Sequence, residues 1–391
     1  MKRVITGNYA AAYGAYLTRV DFVSAYPITP QTLIVEHVSE FVNDGLLEAE
    51  YMRVESEHSA MSACVAASAT GARTYTATAS QGLALMHEVL FIPPVLHLPI
   101  VMPVVNRTVA APIGIWCEQN DTMPQRDTGW LQVYCEDNQE VVDMVIQSYK
   151  IGEHKKVLLP SMVMLDAFIL SHTVEPVDFP EIAEVDKFLP PYKPEHAYLD
   201  PERPMVLGSF TPPEYIQEAR YQTEESMNNA RRVIKEVTKD FGKTFGRDYG
   251  GLIEKYRCED AEVVLITTGT VTSTARVVVD QYRERGKKVG LIKLRFFRPF
   301  PLQEIKELGE QVEAIGVYDR SMSFGTAGPT YIETRYALYG YSIPILNFLA
   351  GLGGRDVSTK DISLMFDRLL EAKEGKIKNE IVWIGTRGVE P

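Results

Sequence analysis

The stretch from Val54 to Gly82, "VESEHSAMSACVAASATGARTYTATASQG", decides how the chain folds. From Ser59 to Gly71 nearly every side chain is small, so the backbone can press closely against a neighbour, and the segment reads as a buried helix. "TYTATAS" (Thr74 to Ser80) follows as a short β-strand, and "GLALMHEVLF" resumes a helical spacing of apolar residues. Helix, strand, helix within thirty residues predicts a parallel α/β sheet. Two carboxylates and a histidine, Glu55, Glu57 and His58, open the first helix. Carboxylates there can simply complement the positive helix end. A desolvated one is instead suited to proton traffic or to a hydrogen bond with a ligand.

Outward from this stretch the alternation continues. "VDFVSAYPI" (Val20 to Ile28), "PIVMPVVN" (Pro99 to Asn106) and "KKVLLPSMVML" (Lys155 to Leu165) read as further strands, separated by helical segments such as "PQTLIVEHVSEFVNDG" and "NQEVVDMVIQSYKIGEH". In such sheets ligands bind beyond the carboxyl ends of the strands. Pro27 to Pro30, Glu57, Ser80 to Gly82 and Asn106 to Thr108 all fall just after strands or at helix starts, which points to a single site. From Val174 to Met205 the chain is rich in Pro and acidic residues and reads as an extended connector. A helix follows, with Met227, Ala230, Ile234, Val237 and Phe241 spaced as a core stripe. A second α/β unit begins near Ala261, with "AEVVLITTGT", "KKVGLIKLRFFRPFP" and "EAIGVYDRS" as strands. The expected fold class is therefore α/β with two doubly wound parallel-sheet domains, over 1–185 and 256–391, joined by an extended and helical connector over 186–255.

Composition narrows the function. A net charge of −12 without clusters of Lys and Arg argues against nucleic acid as a partner. The most apolar run, Val89 to Val105, holds Pro93, Pro94, Pro99 and Pro103, which suits a helix end, turn and buried strand better than a membrane span. With no signal-peptide pattern at the N-terminus, the expectation is a cytoplasmic protein without membrane partners. Cys64, Cys117, Cys135 and Cys258 are widely spaced, so an iron–sulfur cluster or zinc site on this chain is not expected. "TTGTVTSTA" lacks the spacing of a dinucleotide fingerprint and there is no P-loop, which weakens a reading as a stand-alone dehydrogenase.

Seven stretches, "AYPITPQT" (25–32), "VESEHSA" (54–60), "TATASQGLALMHEVL" (76–90), "PVVNR" (103–107), "QRDTGW" (125–130), "LRFFRPFP" (294–301) and "GLGGRD" (351–356), occur in an order that resembles the alpha subunit of the 2-oxoacid:ferredoxin oxidoreductases, most like pyruvate:ferredoxin oxidoreductase. The resemblance implies a thiamine-diphosphate pyrimidine-binding domain followed by a transketolase-C-terminal-like domain. It also implies oxidative decarboxylation of pyruvate or a close 2-oxoacid, with coenzyme A as acyl acceptor and ferredoxin as electron acceptor. It assigns Glu57 to the aminopyrimidine ring of the cofactor, with Pro27, Ile28, Ser80, Gln81 and Gly82 beside it. Thr29 and Arg107 would meet the 2-oxo group and carboxylate of the substrate, and Ile115 and Trp116 would shape the acyl pocket. Thr29 as a turn residue and Arg107 as a surface residue are the alternatives that the residues alone suggest. Glu55 and His58 read as structural neighbours. Asn228 and Asn229 lie in a helical segment, and no G-D-G precedes them. The diphosphate, Mg²⁺ and [4Fe-4S] clusters would therefore sit on beta, gamma and delta-type partner subunits, and this chain alone would be inactive. Branched-chain or aromatic 2-oxoacids are an alternative substrate class, and a non-catalytic scaffold subunit is the alternative from outside enzymology. "GLGGRD" reads as a tight turn that places Arg355 and Asp356 at a domain or subunit contact.

Overall fold

The computed structural model describes residues 1–195 and 197–389. Its first half alternates as the sequence suggests: β1 (Lys2–Thr6), α1 (Gly7–Leu17), β2 (Phe22–Ala25), α2 (Thr32–Asn43), β3 (Glu50–Arg53), α3 (Glu57–Ala69), β4 (Thr74–Tyr75), α4 (Ser80–Leu90), α5 (Ile92–Leu96), β5 (Val101–Asn106), β6 (Leu131–Tyr134), α6 (Asn138–Gly152) and β7 (Ser161–Asp166). β8 (Val174–Asp178), α7 (Ile182–Phe188) and α8 (Pro213–Phe245) lead to the second half. There β9 (Ile253–Tyr256), β10 (Val263–Thr267), α9 (Val271–Glu284), β11 (Val289–Leu294), β12 (Phe296–Arg298), α10 (Leu302–Gly309), β13 (Ala314–Asp319), α11 (Pro329–Ala337), β14 (Ile345–Leu349), α12 (Thr359–Lys373) and β15 (Ile381–Trp383) follow.

The strands form two large sheets. The first has the order β12-β6-β7-β5-β4-β2-β3 and is parallel except for β12; the second has the order β15-β14-β13-β10-β11-β9 and is parallel except for β9. The central strands β5, β7, β10, β11 and β13 are buried at every position, as expected of parallel strands covered on both faces. The fold is therefore α/β with two parallel-sheet units. Met227, Ala230, Ile234, Val237 and Phe241 of α8 are buried, as their spacing implies. Among the described residues no helix is long and apolar enough to cross a membrane.

Several expectations need correction: the strand expected over Thr74 to Ser80 is only Thr74–Tyr75, since Ser80 already heads α4, and α3 is buried along one side, with Ala66 exposed. The Val174–Met205 segment is not simply extended: β8 pairs antiparallel with β1, from Lys2–Asp178 to Thr6–Val174, and α7 follows with Val185 and Phe188 buried. The partner of β8 lies some 170 residues earlier in the chain, so no local pattern announces the pairing. "KKVGLIKLRFFRPFP" is two strands, because Arg295 turns its fully buried guanidinium onto Glu140 (2.6 Å) and β12 then leaves for the first sheet. The strand expected over Lys155 to Leu165 begins only at Ser161, with Lys155 in the turn after α6.

The halves meet through buried charges. Asp166, at the end of β7, accepts from the backbone N–H of Thr270 (3.0 Å) and from Arg320 Nη1 (3.2 Å). Glu136 lies 2.9 Å from Arg276 and 3.1 Å from Lys293, while Glu140 is 2.5 Å from Lys293. Burial would raise the Glu136 carboxyl, but Arg276 and Lys293 outweigh it and hold the group down at about 2.

Candidate active site

The opening of α3 separates its two carboxylates. Ser56 caps the helix by accepting from the N–H of Ser59 (3.2 Å), and exposed Glu55 accepts from the Ser59 hydroxyl. Glu55 thus acts as a local structural partner. Glu57 turns inward and is only 6% exposed, yet no group among the described residues hydrogen-bonds its carboxylate. A buried carboxylate without a partner is costly in a folded chain and marks a place that a ligand would complete.

What lies against Glu57 explains the glycine in "SQG". A Cβ at Gly82 would sit 2.6 Å from Glu57 Oε1 and 2.5 Å from Thr78 Oγ1, so only glycine lets α4 come this close. Thr78 Oγ1 is itself buried without a partner among the described residues. Ser80, at the head of α4, has φ +48°, a left-handed conformation that a non-glycine residue holds only against strain. Its hydroxyl donates to the Thr108 carbonyl (2.7 Å). Gln81 is half-buried beside it.

Asp121 fastens this corner, and no local pattern marks it, because its partners are distant or backbone groups. Fully buried, it accepts from the N–H of Ser80 (3.1 Å), the N–H of Arg107 (2.9 Å), the Asn106 amide (2.8 Å) and the N–H of Thr122 (2.8 Å). Burial pushes its carboxyl up to about 6 despite these donors. The head of α4 and the end of β5 are therefore held on one carboxylate.

Arg107 is not a surface residue: it is 7% exposed. Its Nε donates to the Gly114 carbonyl (2.9 Å) and its Nη1 to the Thr29 carbonyl (2.8 Å), while Nη2 has no acceptor among the described residues. Burial lowers its pKa, though a guanidinium remains charged. Thr29 is exposed in the turn after β2, and its neighbours Pro27 and Ile28 are exposed and half-buried. Gln31 ties this turn to the sheet by donating to the Ala77 carbonyl (2.8 Å), and Asn8 donates to the Pro30 carbonyl (2.8 Å). The structure thus brings Thr29 and Arg107 together, and it joins Arg107 to Ser80 through Asp121 and Ser80 to Gly82 and Glu57 through α4. Ile115 and Trp116 lie on the loop after Arg107, 38% and 52% exposed, with the Trp116 ring 4.7 Å from that of Phe168. Among the described residues no group of three or more His, Cys, Asp or Glu could hold a metal ion.

A thiamine-type cofactor suits this corner on structural grounds. The Glu57 carboxylate and the Thr78 hydroxyl find no partner among the described residues, and Gly82 leaves room beside them that any side chain would fill.

The family described as "Pyruvate flavodoxin/ferredoxin oxidoreductase, thiamine diP-bdg" matches residues 13–239, and "Pyruvate:ferredoxin oxidoreductase core domain II" matches 261–362. Pyruvate synthase subunit PorA of Methanocaldococcus jannaschii is 49% identical over 387 residues, covering 98% of each chain. Ketoisovalerate oxidoreductase subunit VorA of Pyrococcus horikoshii is 47% identical over 386 residues, again covering 98% of each. In fold, the chain is similar to 2-oxoglutarate:ferredoxin oxidoreductase from Magnetococcus marinus, solved with 2-oxoglutarate, coenzyme A and succinyl-CoA bound, at a TM-score of 0.73 and 18% identity. That alignment covers 95% of this chain and 65% of the solved one, so the chain spans somewhat less than two thirds of its length. A split-gene transketolase, as an inactive beta4 tetramer, matches with a TM-score of 0.57 and 13% identity over 94% of this chain and 99% of its own. By these matches over nearly its whole length, the chain belongs to the pyruvate flavodoxin/ferredoxin oxidoreductase family.

Proposed function

We propose that the chain is the alpha subunit of a thiamine-diphosphate-dependent oxidoreductase that converts pyruvate and coenzyme A to acetyl-CoA and CO₂, passing two electrons to ferredoxin. Residues 1–185 would face the pyrimidine half of the cofactor, 186–255 would connect, and 256–391 would form the transketolase-C-terminal-like unit. Beta, gamma and delta-type subunits would supply the diphosphate site, Mg²⁺ and the [4Fe-4S] clusters, and the complex would be cytoplasmic. The observation that carries the reading is the buried, unpartnered Glu57 carboxylate beside Gly82.

The bound cofactor supplies an electron sink for the bond that breaks on decarboxylation. The chain's own residues bind and orient. Glu57 shares a proton at its carboxylate oxygen with a ring nitrogen of the pyrimidine, an interaction that its burial strengthens. Arg107, with Nε and Nη1 already fixed on carbonyls, presents Nη2 to the substrate carboxylate. The Thr29 hydroxyl donates to the 2-oxo oxygen from the turn that Arg107 grips. Pro27, Ile28, Ser80 and Gln81 line the cofactor side, and Ile115 and Trp116 limit the acyl group.

A second reading, a branched-chain 2-oxoacid as substrate, is favoured by the ketoisovalerate relative, which is as similar as the pyruvate one within two percentage points. The test is reduction of ferredoxin or a low-potential dye by the chain co-expressed with its neighbouring subunits. It compares pyruvate, 2-oxoisovalerate, 2-oxoglutarate and phenylglyoxylate, with and without coenzyme A and thiamine diphosphate. Cofactor-dependent reduction with pyruvate is expected. Preference for 2-oxoisovalerate would move the assignment to the second reading, and inactivity of a loaded complex with all four acids would overturn both.

A further inference from the structure

The second α/β unit has no role in the chemistry just described, yet it reaches the substrate loop. Residues 351–354 form a turn in which Gly351, Gly353 and Gly354 have φ of +75°, +65° and +78°. The N–H of Gly353 donates to Glu118 Oε2 (3.0 Å), and a Cβ at Gly354 would lie 2.3 Å from the Cβ of Trp116. Glu118 also accepts from Thr108 Oγ1 (3.3 Å), and the Thr108 N–H donates to the Trp116 carbonyl (3.1 Å). The loop closed in this way carries the Gly114 carbonyl that receives Arg107 Nε. Arg355 does not make this contact; it bonds the Gly385 carbonyl within its own unit, so the glycines rather than Arg355 bridge the two halves.

We propose that the glycine turn of the second unit is a positioning element for substrate binding: through Glu118 it fixes the 108–118 loop and so the orientation of Arg107. Glu118 is the joint, since one oxygen receives a donor from each side. It is half-buried, and burial raises its pKa; the bond from Thr108 is partly buried, while the bond from the Gly353 N–H lies at the exposed rim of the turn. The inference rests on Arg107 meeting the substrate carboxylate.

The test uses the assembled complex with Glu118→Ala and Glu118→Gln in this chain. Glu118→Ala is expected to raise KM for the 2-oxoacid about 10-fold with kcat changed less than about 3-fold, since binding rather than chemistry loses its orientation. Affinity for thiamine diphosphate, read by titration of the apo complex, should stay unchanged. Glu118→Gln keeps an oxygen for the Gly353 N–H and should recover most of the KM. Gly354→Ala, which drives a methyl into Trp116 at a left-handed φ, should raise KM in the same direction. KM unchanged in Glu118→Ala of a complex whose wild type is active would overturn the proposal alone. So would a parallel loss of kcat, KM and cofactor affinity, which marks general loosening. A wild-type complex inactive with every 2-oxoacid would overturn the functional reading, and this proposal with it.

Discussion

Each half of the molecule buries a carboxylate against a glycine, and the two are treated in opposite ways. In the second half Asp319, at the end of β13, faces Gly328, where a Cβ would lie 2.1 Å from Asp319 Oδ2. It accepts from the N–H groups of Thr330 (2.8 Å) and Tyr331 (3.1 Å) and from the Asn347 amide (2.9 Å). In the first half Glu57 faces Gly82, where a Cβ would lie 2.6 Å from its Oε1, yet it accepts from no group among the described residues. The same close approach serves two ends. Where protein donors converge, the carboxylate holds the head of a helix in place; where they are withheld, the proposed function gives the carboxylate to a ligand.

The sharpest way to break this contrast is to exchange charge for amide at the unpartnered group. Glu57→Gln in the assembled complex should cut turnover about 100- to 10,000-fold while leaving assembly intact, as expected for a proton-transfer partner. Near-normal turnover in the dye-reduction assay would place Glu57 among structural groups. The corresponding change at the satisfied carboxylate should act on folding instead. Asp319→Ala strands three donors and should lower stability by about 3 kcal/mol in denaturant titration.

The same group predicts a pH dependence. Burial pushes Asp319 up to about 7, despite its donors, and Asp121 up to about 6. A carboxyl whose pKa is raised on folding binds its proton more tightly in the folded state. Its contribution is thus fully present at the usual carboxylate range, about pH 4, and is lost as pH rises through the folded value. Glu136, held near 2, acts with the opposite sign, in favour of the fold above the usual range and lost below it. Between pH 5 and 8 the melting temperature of Asp319→Asn should therefore fall less than that of the wild type; equal slopes would remove Asp319 from the account. The smallest effect belongs to the surface. Arg232→Ala breaks an i,i+4 pair with Glu236 in which both side chains are 53% exposed, and should cost less than about 0.5 kcal/mol.

Much of this was legible in the residues. The alternation of elements, the buried stripe of α8, and the clustering of Thr29, Glu57, Ser80–Gly82 and Arg107 beyond strand ends all follow from local pattern, since each depends on periodicity or on position at an element's end. What escaped depends on partners far away in sequence. Asp121 sits in the polar run "CEQNDT", where nothing marks it as the residue that gathers Ser80 and Arg107. Likewise, Arg295 reads as a charged residue at the edge of an apolar strand, whereas burial against Glu140 makes it the point where the strand divides. By themselves Thr29 and Arg107 read as a turn residue and a surface cation, and the roles proposed for them come from the family resemblance; Arg107 is buried and grips the Thr29 carbonyl, while Thr29 stays exposed in its turn.

The crossing of β12 from the second half to the edge of the first sheet bears on how the polypeptide can be divided. Phe296 and Arg298 complete the hydrogen bonding of β6. A fragment ending near residue 255 would leave that edge bare, and a bare edge recruits other chains. Dissection into halves should thus yield a sticky N-terminal piece that is rescued when the C-terminal piece is supplied in trans, so the two halves mature as one cooperative body in spite of their separate sheets.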